Sequence, residues 1–240
     1  MKKLTFLLFA TLNLLMTFSF NLANAQGVGT FQLYAESGFG LTLPMDDSMD
    51  DKSEKTIGSP YIYNDFASVK TSATGNKTFK ARYNAFTDEI EVKVGEGDVR
   101  NFDKSINNVV FTFINDKVEF TTLNFIDSGD GSKRSYVMSL TDSQQSVKLF
   151  CKKQKKHTEA KPALTGYDKD KPAEFKDMND RFFISINDDY ARELPKKAND
   201  IAALFPTHSK EILNFIKKNK TKTSREADLI NLINYINSII

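Results

Sequence analysis

Residues 79–97 read FKARYNAFTDEIEVKVGEG, and apolar side chains alternate with charged ones through most of that length. Phe79, Ala81 and Tyr83 interleave with Lys80 and Arg82; Ile90, Val92 and Val94 interleave with Glu89, Glu91 and Lys93. A β-strand projects successive side chains to opposite faces, so the pattern predicts two strands, each with one buried and one wetted face. Residues 84–88 separate them as a hairpin turn or a bulge, and Gly95-Glu96-Gly97-Asp98 closes the second strand with turn chemistry. Arg82, Asp88 and Glu89 are the charges here from which a site would be built. Exposed cross-strand ion pairs are the commoner arrangement for such residues.

The same signal recurs on both sides. Runs rich in Val, Ile, Phe, Thr and Tyr predict strands at 31–35, 61–63, 66–70, 79–84, 89–94, 109–114, 117–124, 135–140, 146–151 and 182–187. Thr74-Gly75-Asn76-Lys77, Asn115-Asp116 and Asp127-Ser128-Gly129-Asp130-Gly131 mark turns between them. Parallel pairing needs long crossovers, and the connections are short. The expectation is an antiparallel meander, as a sandwich, a curled sheet or a partial barrel.

After about residue 195 the period changes to that of a helix. Asn199 and Asp200 are placed to cap a short helix over 201–205, ended by Pro206; Thr207 is placed to cap a second, running to about Asn219. Thr223-Ser224-Arg225-Glu226 has the form of a capping box for a third. Its apolar stripe is Leu229, Leu232, Ile233, Ile236 and Ile240. Such a stripe is ordinary for a core-facing helix, although a membrane-lying role has the same pattern. The fold class is therefore α+β: a β-rich body, 26–195, followed by a helical element, 196–240, packed on the sheet in what reads as the same domain.

Residues 1–25 read as a signal peptide. Lys2 and Lys3 precede an apolar run, and Ala23-Asn24-Ala25 has the small-x-small form of a cleavage site. The expected mature chain starts at Gln26 and is periplasmic or secreted. No later stretch is long and apolar enough for a transmembrane helix. With Lys2 and Lys3 gone, the 33 basic side chains become 31, equal to the 31 acidic ones. The charge is uneven: 26–147 carries 12 basic and 18 acidic residues, and 148–240 carries 19 and 13. Cys151 is the single cysteine, so the chain makes no disulfide with itself. Alternation through Val147, Leu149 and Cys151 places it on a buried strand face.

Gly58-Ser59-Pro60-Tyr61, Arg82-Tyr83-Asn84 with Asp88-Glu89-Ile90-Glu91-Val92, and Leu204-Phe205-Pro206 with Asp228-Leu229-Ile230 resemble a family of uncharacterised, signal-peptide-bearing proteins of Gram-negative bacteria. The resemblance implies a strand-rich body followed by helices and an envelope or secreted location. It supplies no activity and no catalytic residues.

Motifs of chemistry are sparse. The acidic segment 46–54 (Asp46, Asp47, Ser48, Asp50, Asp51, Glu54) lacks the glycine of an EF-hand loop, and Asp127–Ser132 lacks its closing Glu. Zinc has only Cys151, His157 and His208 as nitrogen or sulfur ligands. The chain contains no Gly-x-Ser-x-Gly, no His-Glu-x-x-His and no phosphate-binding loop before a helix. No catalytic, cofactor-binding or metal residue is nominated, and no cofactor is expected. The basic run of Lys148, Lys152, Lys153, Lys155, Lys156, His157 and Lys161 reads as a solvated connection between strands, with anionic lipid or a polyanion as the alternative. The export signal speaks against nucleic acid.

The leading reading is a non-enzymatic binding or structural component of the cell envelope, with an envelope protein or a lipid as partner. The second is a carrier of a lipid or other apolar ligand, with the helices as a lid over a curled sheet. The third is a hydrolase of unrecognised type.

Overall fold

A computed structural model describes residues 41–42, 56–72, 78–107, 109–127, 131–163 and 169–240. The expected signal peptide over 1–25, the expected strand at 31–35, the acidic segment 46–54 and the expected turn at 74–77 lie outside the described residues. The strands are β1 (Leu41–Thr42), β2 (Ala67–Thr71), β3 (Thr78–Asn84), β4 (Glu89–Lys93), β5 (Val99–Phe102), β6 (Val110–Phe113), β7 (Val118–Asp127), β8 (Gly131–Ser139), β9 (Val147–Lys152), β10 (Lys155–Thr158), β11 (Glu174–Asp177), β12 (Arg181–Ile186) and β13 (Arg192–Glu193). The helices are α1 (Ala198–Ala203), α2 (Ser209–Asn219) and α3 (Glu226–Ile239), with a single 3-10 turn, Pro206–His208, before α2.

Eleven strands pair in the order β1-β5-β4-β3-β2-β6-β7-β8-β9-β12-β13, and every ladder is antiparallel. The sheet is a curled half-barrel. The stretch quoted above forms an antiparallel hairpin, with Arg82 opposite Glu91 and Tyr83 opposite Ile90. Its turn is built by Asn84, whose Oδ1 accepts the amides of Phe86 and Thr87, each at 3.1 Å. Asp88 ends the turn in the left-handed region, at φ 60°. The β12–β13 connection places Asn187 and Asp188 at φ 52° and 62°, as a tight hairpin turn demands of its two central residues.

The concave face and the helices share one core. Phe111, Phe113, Phe120 and Tyr136 of the sheet meet Ile201, Ile212, Leu229, Leu232, Ile233 and Ile236 of the helices, all of them buried. The α3 stripe therefore faces the core. Burying each such side chain contributes about 1.5–3 kcal/mol. Asn237 fixes α3 to β9: its Oδ1 accepts the Val147 amide at 2.9 Å, and its Nδ2 donates to the Val147 carbonyl at 2.9 Å. Phe215 of α2 stacks on Tyr235 of α3, with ring centroids 4.1 Å apart. On the convex face Phe125, Val137, Phe150 and Phe183 form a second, smaller cluster.

Several local expectations are corrected. Residues 61–63 are bends with one isolated bridge, Tyr61 to Asn84, because this segment crosses the hairpin end and does not run beside a strand. Lys155–Thr158 is strand: β10 pairs with β11 as a separate two-stranded ribbon, so the basic run is not a plain connection. β5 and β13 are also additional to the expected strands; each is short and polar in part, and its ladder with a stronger neighbour specifies it. Asn199 and Asp200 lie inside α1, whose N-cap is Lys197. The N-cap of α2 is His208, not Thr207, because the 3-10 turn intervenes. The capping box does not form: Thr223 Oγ1 donates to the Lys196 carbonyl at 2.7 Å, Glu226 turns to Lys153, and Arg225 is the N-cap of α3.

Candidate functional site: a charged seam

β8 and β9 are paired only at Met138 and Ser139 with Cys151 and Phe150. Beyond that point the Tyr136 amide donates to a side chain, the Asp88 Oδ1, at 3.2 Å. The β3–β4 turn thus takes the place of a missing rung. The same turn reaches β10, since the Lys155 amide donates to the Ala85 carbonyl at 3.0 Å. The Tyr83 hydroxyl lies 2.9 Å from Asp88 Oδ1 and 3.3 Å from the Lys153 carbonyl. These strands are distant in the sheet order, so the contacts hold the curl.

Asp88 is the centre of the seam. Lys104 Nζ donates to its Oδ2 at 3.0 Å, and Lys152 Nζ stands 3.8 Å from the same oxygen. Lys152 also donates to Ser135 Oγ at 2.6 Å. Lys104 bridges onward to Glu89 at 3.3 Å. Burial raises the Glu89 carboxyl above its ordinary range, and the Lys104 ammonium opposes that rise. Burial and then the Asp88 charge drive the Tyr83 hydroxyl far up; burial does the same at Tyr136, whose hydroxyl donates to the Phe102 carbonyl at 3.2 Å.

One residue past the end of β9 the direction reverses. Lys153 donates to Asp180 Oδ2 at 2.7 Å and to Glu226 Oε2 at 3.1 Å, tying the start of β12 and the first turn of α3 to the seam. Burial would lower the Lys153 ammonium, but the hydrogen bonds from Asp180 and Glu226 outweigh it and the net shift is upward. Cys151 lies beside them, its sulfur and the two carboxylates all within 4.8 Å of one another. Burial is the main cause that pushes the thiol up to about 12. The two carboxylates hold the Lys153 ammonium, so the group is an ion-pair cluster with a protonated thiol at its edge.

The structure separates the charges that the hairpin sequence had offered as a site. Arg82 turns to the convex face, where its Nε donates to Glu91 Oε2 at 2.8 Å. Its guanidinium lies 3.6 Å from the Tyr61 ring centroid and 4.3 Å from that of Phe66. Asp88 and Glu89 take Lys104 instead. The His157 ring packs on Phe175 and Phe86, with centroids at 4.7 and 6.2 Å, in an aromatic group that docks the ribbon onto the β3–β4 turn. Gly58 sits under the ribbon at φ 81°, where a Cβ would come within 2.6 Å of the Phe175 carbonyl oxygen. Lys104 and Asp180 carry no local sequence signal, and Glu226 carries only that of a capping box; the curl brings them to Asp88 and Lys153.

The chain matches no family model, and neither a curated protein nor a solved structure is similar to it. No helix among the described residues is long and apolar enough to cross a membrane.

Proposed function

We propose that the protein is exported to the cell envelope, periplasmic or secreted, and acts there as a non-enzymatic binding or structural component. The single observation that carries the reading is the use of its polar residues: the seam charges satisfy one another and hold strands and helices together. Asp88 receives Tyr83, the Tyr136 amide and Lys104; Lys153 is shared between Asp180 and Glu226. The filled concave face, with Phe111 and Phe113 buried in one core with Leu229 of α3, supports the same reading over a lipid carrier. The leader over 1–25 and the resemblance to signal-bearing envelope proteins support the location. The test is cell fractionation, followed by mass spectrometry of the natively purified protein. The expected result is an envelope or exported fraction starting at Gln26, allowing for cyclised glutamine, with a co-purifying partner. A cytoplasmic protein retaining Met1 would overturn the location, and turnover abolished by Asp88→Asn with the fold intact would overturn the non-enzymatic reading.

A further inference from the structure

The α2–α3 connection concentrates exposed positive charge. From Lys196 to Arg225 the sequence has eight basic and two acidic side chains. Lys217, Lys218, Lys220 and Lys222 crowd the end of α2 and the turn after it, and all are exposed. The Thr223 hydroxyl donates to the Lys196 carbonyl at 2.7 Å, which brings Lys196 and Lys197 to the same turn. None of these six lysines has an ion-pair partner among the described residues, whereas Lys104, Lys148, Lys152, Lys153, Lys155 and Lys176 all have one.

Backbone geometry gives a second, independent observation. Lys220 occupies the left-handed C-cap of α2, at φ 51°. That position normally belongs to Gly or Asn, and a residue with a Cβ is strained there. A lysine at this point keeps a charge on the tip at a cost in backbone energy. Lys217 and Lys218 complement the helix dipole, but Lys196, Lys197, Lys220 and Lys222 lie beyond the last turn, where the dipole gives little. The tip carries Lys, Asn, Thr and Ser and no exposed large apolar side chain. It is an exposed helix–helix turn, suited to meeting a broad charged surface and lacking the apolar residues that insertion requires.

We infer that this lysine tip is a peripheral docking surface for anionic lipid headgroups, held by charge alone and without insertion. A cluster of four to eight cations is the size that anionic leaflets retain. This names a partner for the envelope component proposed above. Its test with purified protein is independent of where the cell places the chain, so the two readings fail separately.

The experiment is co-sedimentation of the protein as isolated from its cells with phosphatidylcholine vesicles, with and without phosphatidylglycerol. Binding is expected only to the anionic vesicles, and is expected to vanish near 1 M salt, where the screening length is about 3 Å. The triple variant Lys218→Glu, Lys220→Glu, Lys222→Glu should lower partitioning by at least about tenfold. Lys220→Gly should lower it less and raise the melting midpoint, which a purely structural role for the lysine does not predict. The control Lys156→Glu, Lys161→Glu, Lys171→Glu on the ribbon should bind as wild type. Absence of binding to anionic vesicles overturns the inference. So does binding that the tip variant leaves unchanged, or retention on a soluble polyanion such as dextran sulfate without binding to vesicles.

Discussion

Lys152 and Lys153 in the seam, and Lys218 and Lys220 at the helical tip, are adjacent or nearly adjacent lysines with opposite fates. Lys152 is nine-tenths buried and bonded to Ser135; Lys153 bridges Asp180 and Glu226. Lys218 and Lys220 are exposed and have no ionic partner among the described residues. A lysine in the seam is an internal part of the fold, because removing it leaves carboxylates short of water and of charge. A lysine at the tip contributes little to the fold, because solvent already hydrates it and screens it. The same side chain therefore marks structure in one place and an interaction surface in the other.

The largest effect that would sharpen this contrast is at Asp88. Asp88→Ala strips a partner from Tyr83, the Tyr136 amide and Lys104 together, and is expected to lower unfolding free energy by about 3–5 kcal/mol in urea titration. A loss below 1 kcal/mol would make the seam incidental. Next is Lys153→Met, which keeps the apolar stem and leaves Asp180 and Glu226 without their cation. The Lys153 side chain is 22% exposed, so solvent screening discounts the loss to about 1–3 kcal/mol.

Alkaline pH tests the same region without a mutation at an ion pair. Cys151 has a thiol pushed up to about 12 from 9.0 by burial, and Tyr83, Tyr136 and Lys153 are also raised. Each group holds its proton more tightly in the folded state than in the unfolded chain. Their stabilisation is thus complete below about pH 9 and declines as the pH climbs toward 12. Cys151→Ala should make that decline shallower and delay its onset to the tyrosine range. The native thiol should also resist alkylation at neutral pH and react only on unfolding; rapid labelling of folded protein would contradict its place in the core. The smallest effect belongs to the tip: Lys217→Ala and Lys218→Ala are each expected to move stability by about 0.5 kcal/mol or less. A larger loss would erase the distinction between the two kinds of lysine.

The sequence makes one part of this arrangement legible and conceals the other. Period-2 alternation in 79–94 exposes the β3–β4 hairpin and its faces, and alternation through 147–151 exposes Cys151's burial on β9, because each follows from local pattern. The α3 stripe is legible for the same reason. The β10–β11 ribbon is not: Lys155, Lys156 and His157 have no strand signature, and the ribbon docks through its own His157 and Phe175 on Phe86 of the β3–β4 turn. The helix caps failed because Thr223 and Glu226 each found a tertiary partner stronger than the local one. The seam is the extreme case. Asp88 looks like turn chemistry, Lys104 like a loop charge, Glu226 like a capping residue, and only the closure of the sheet makes them one group. Other short stretches read in the sequence also carry structural contacts: Gly58 lies beneath the ribbon, Tyr61 on Arg82, Tyr83 on Asp88, and Asp228 accepts the Lys222 amide at 2.8 Å.

The central claim is that the Asp88 carboxylate replaces a missing backbone rung and so holds the curl of the sheet. Native-state hydrogen exchange at the Tyr136 amide tests it most directly, because that N–H donates to Asp88 Oδ1 and not to a strand. The account predicts that in the wild type this amide exchanges as slowly as its core neighbours Val137 and Leu149. In Asp88→Ala it should exchange at least about 100-fold faster than the loss of global stability alone accounts for. An amide that exchanges freely in the wild type, or whose protection follows global stability alone in Asp88→Ala, would contradict it.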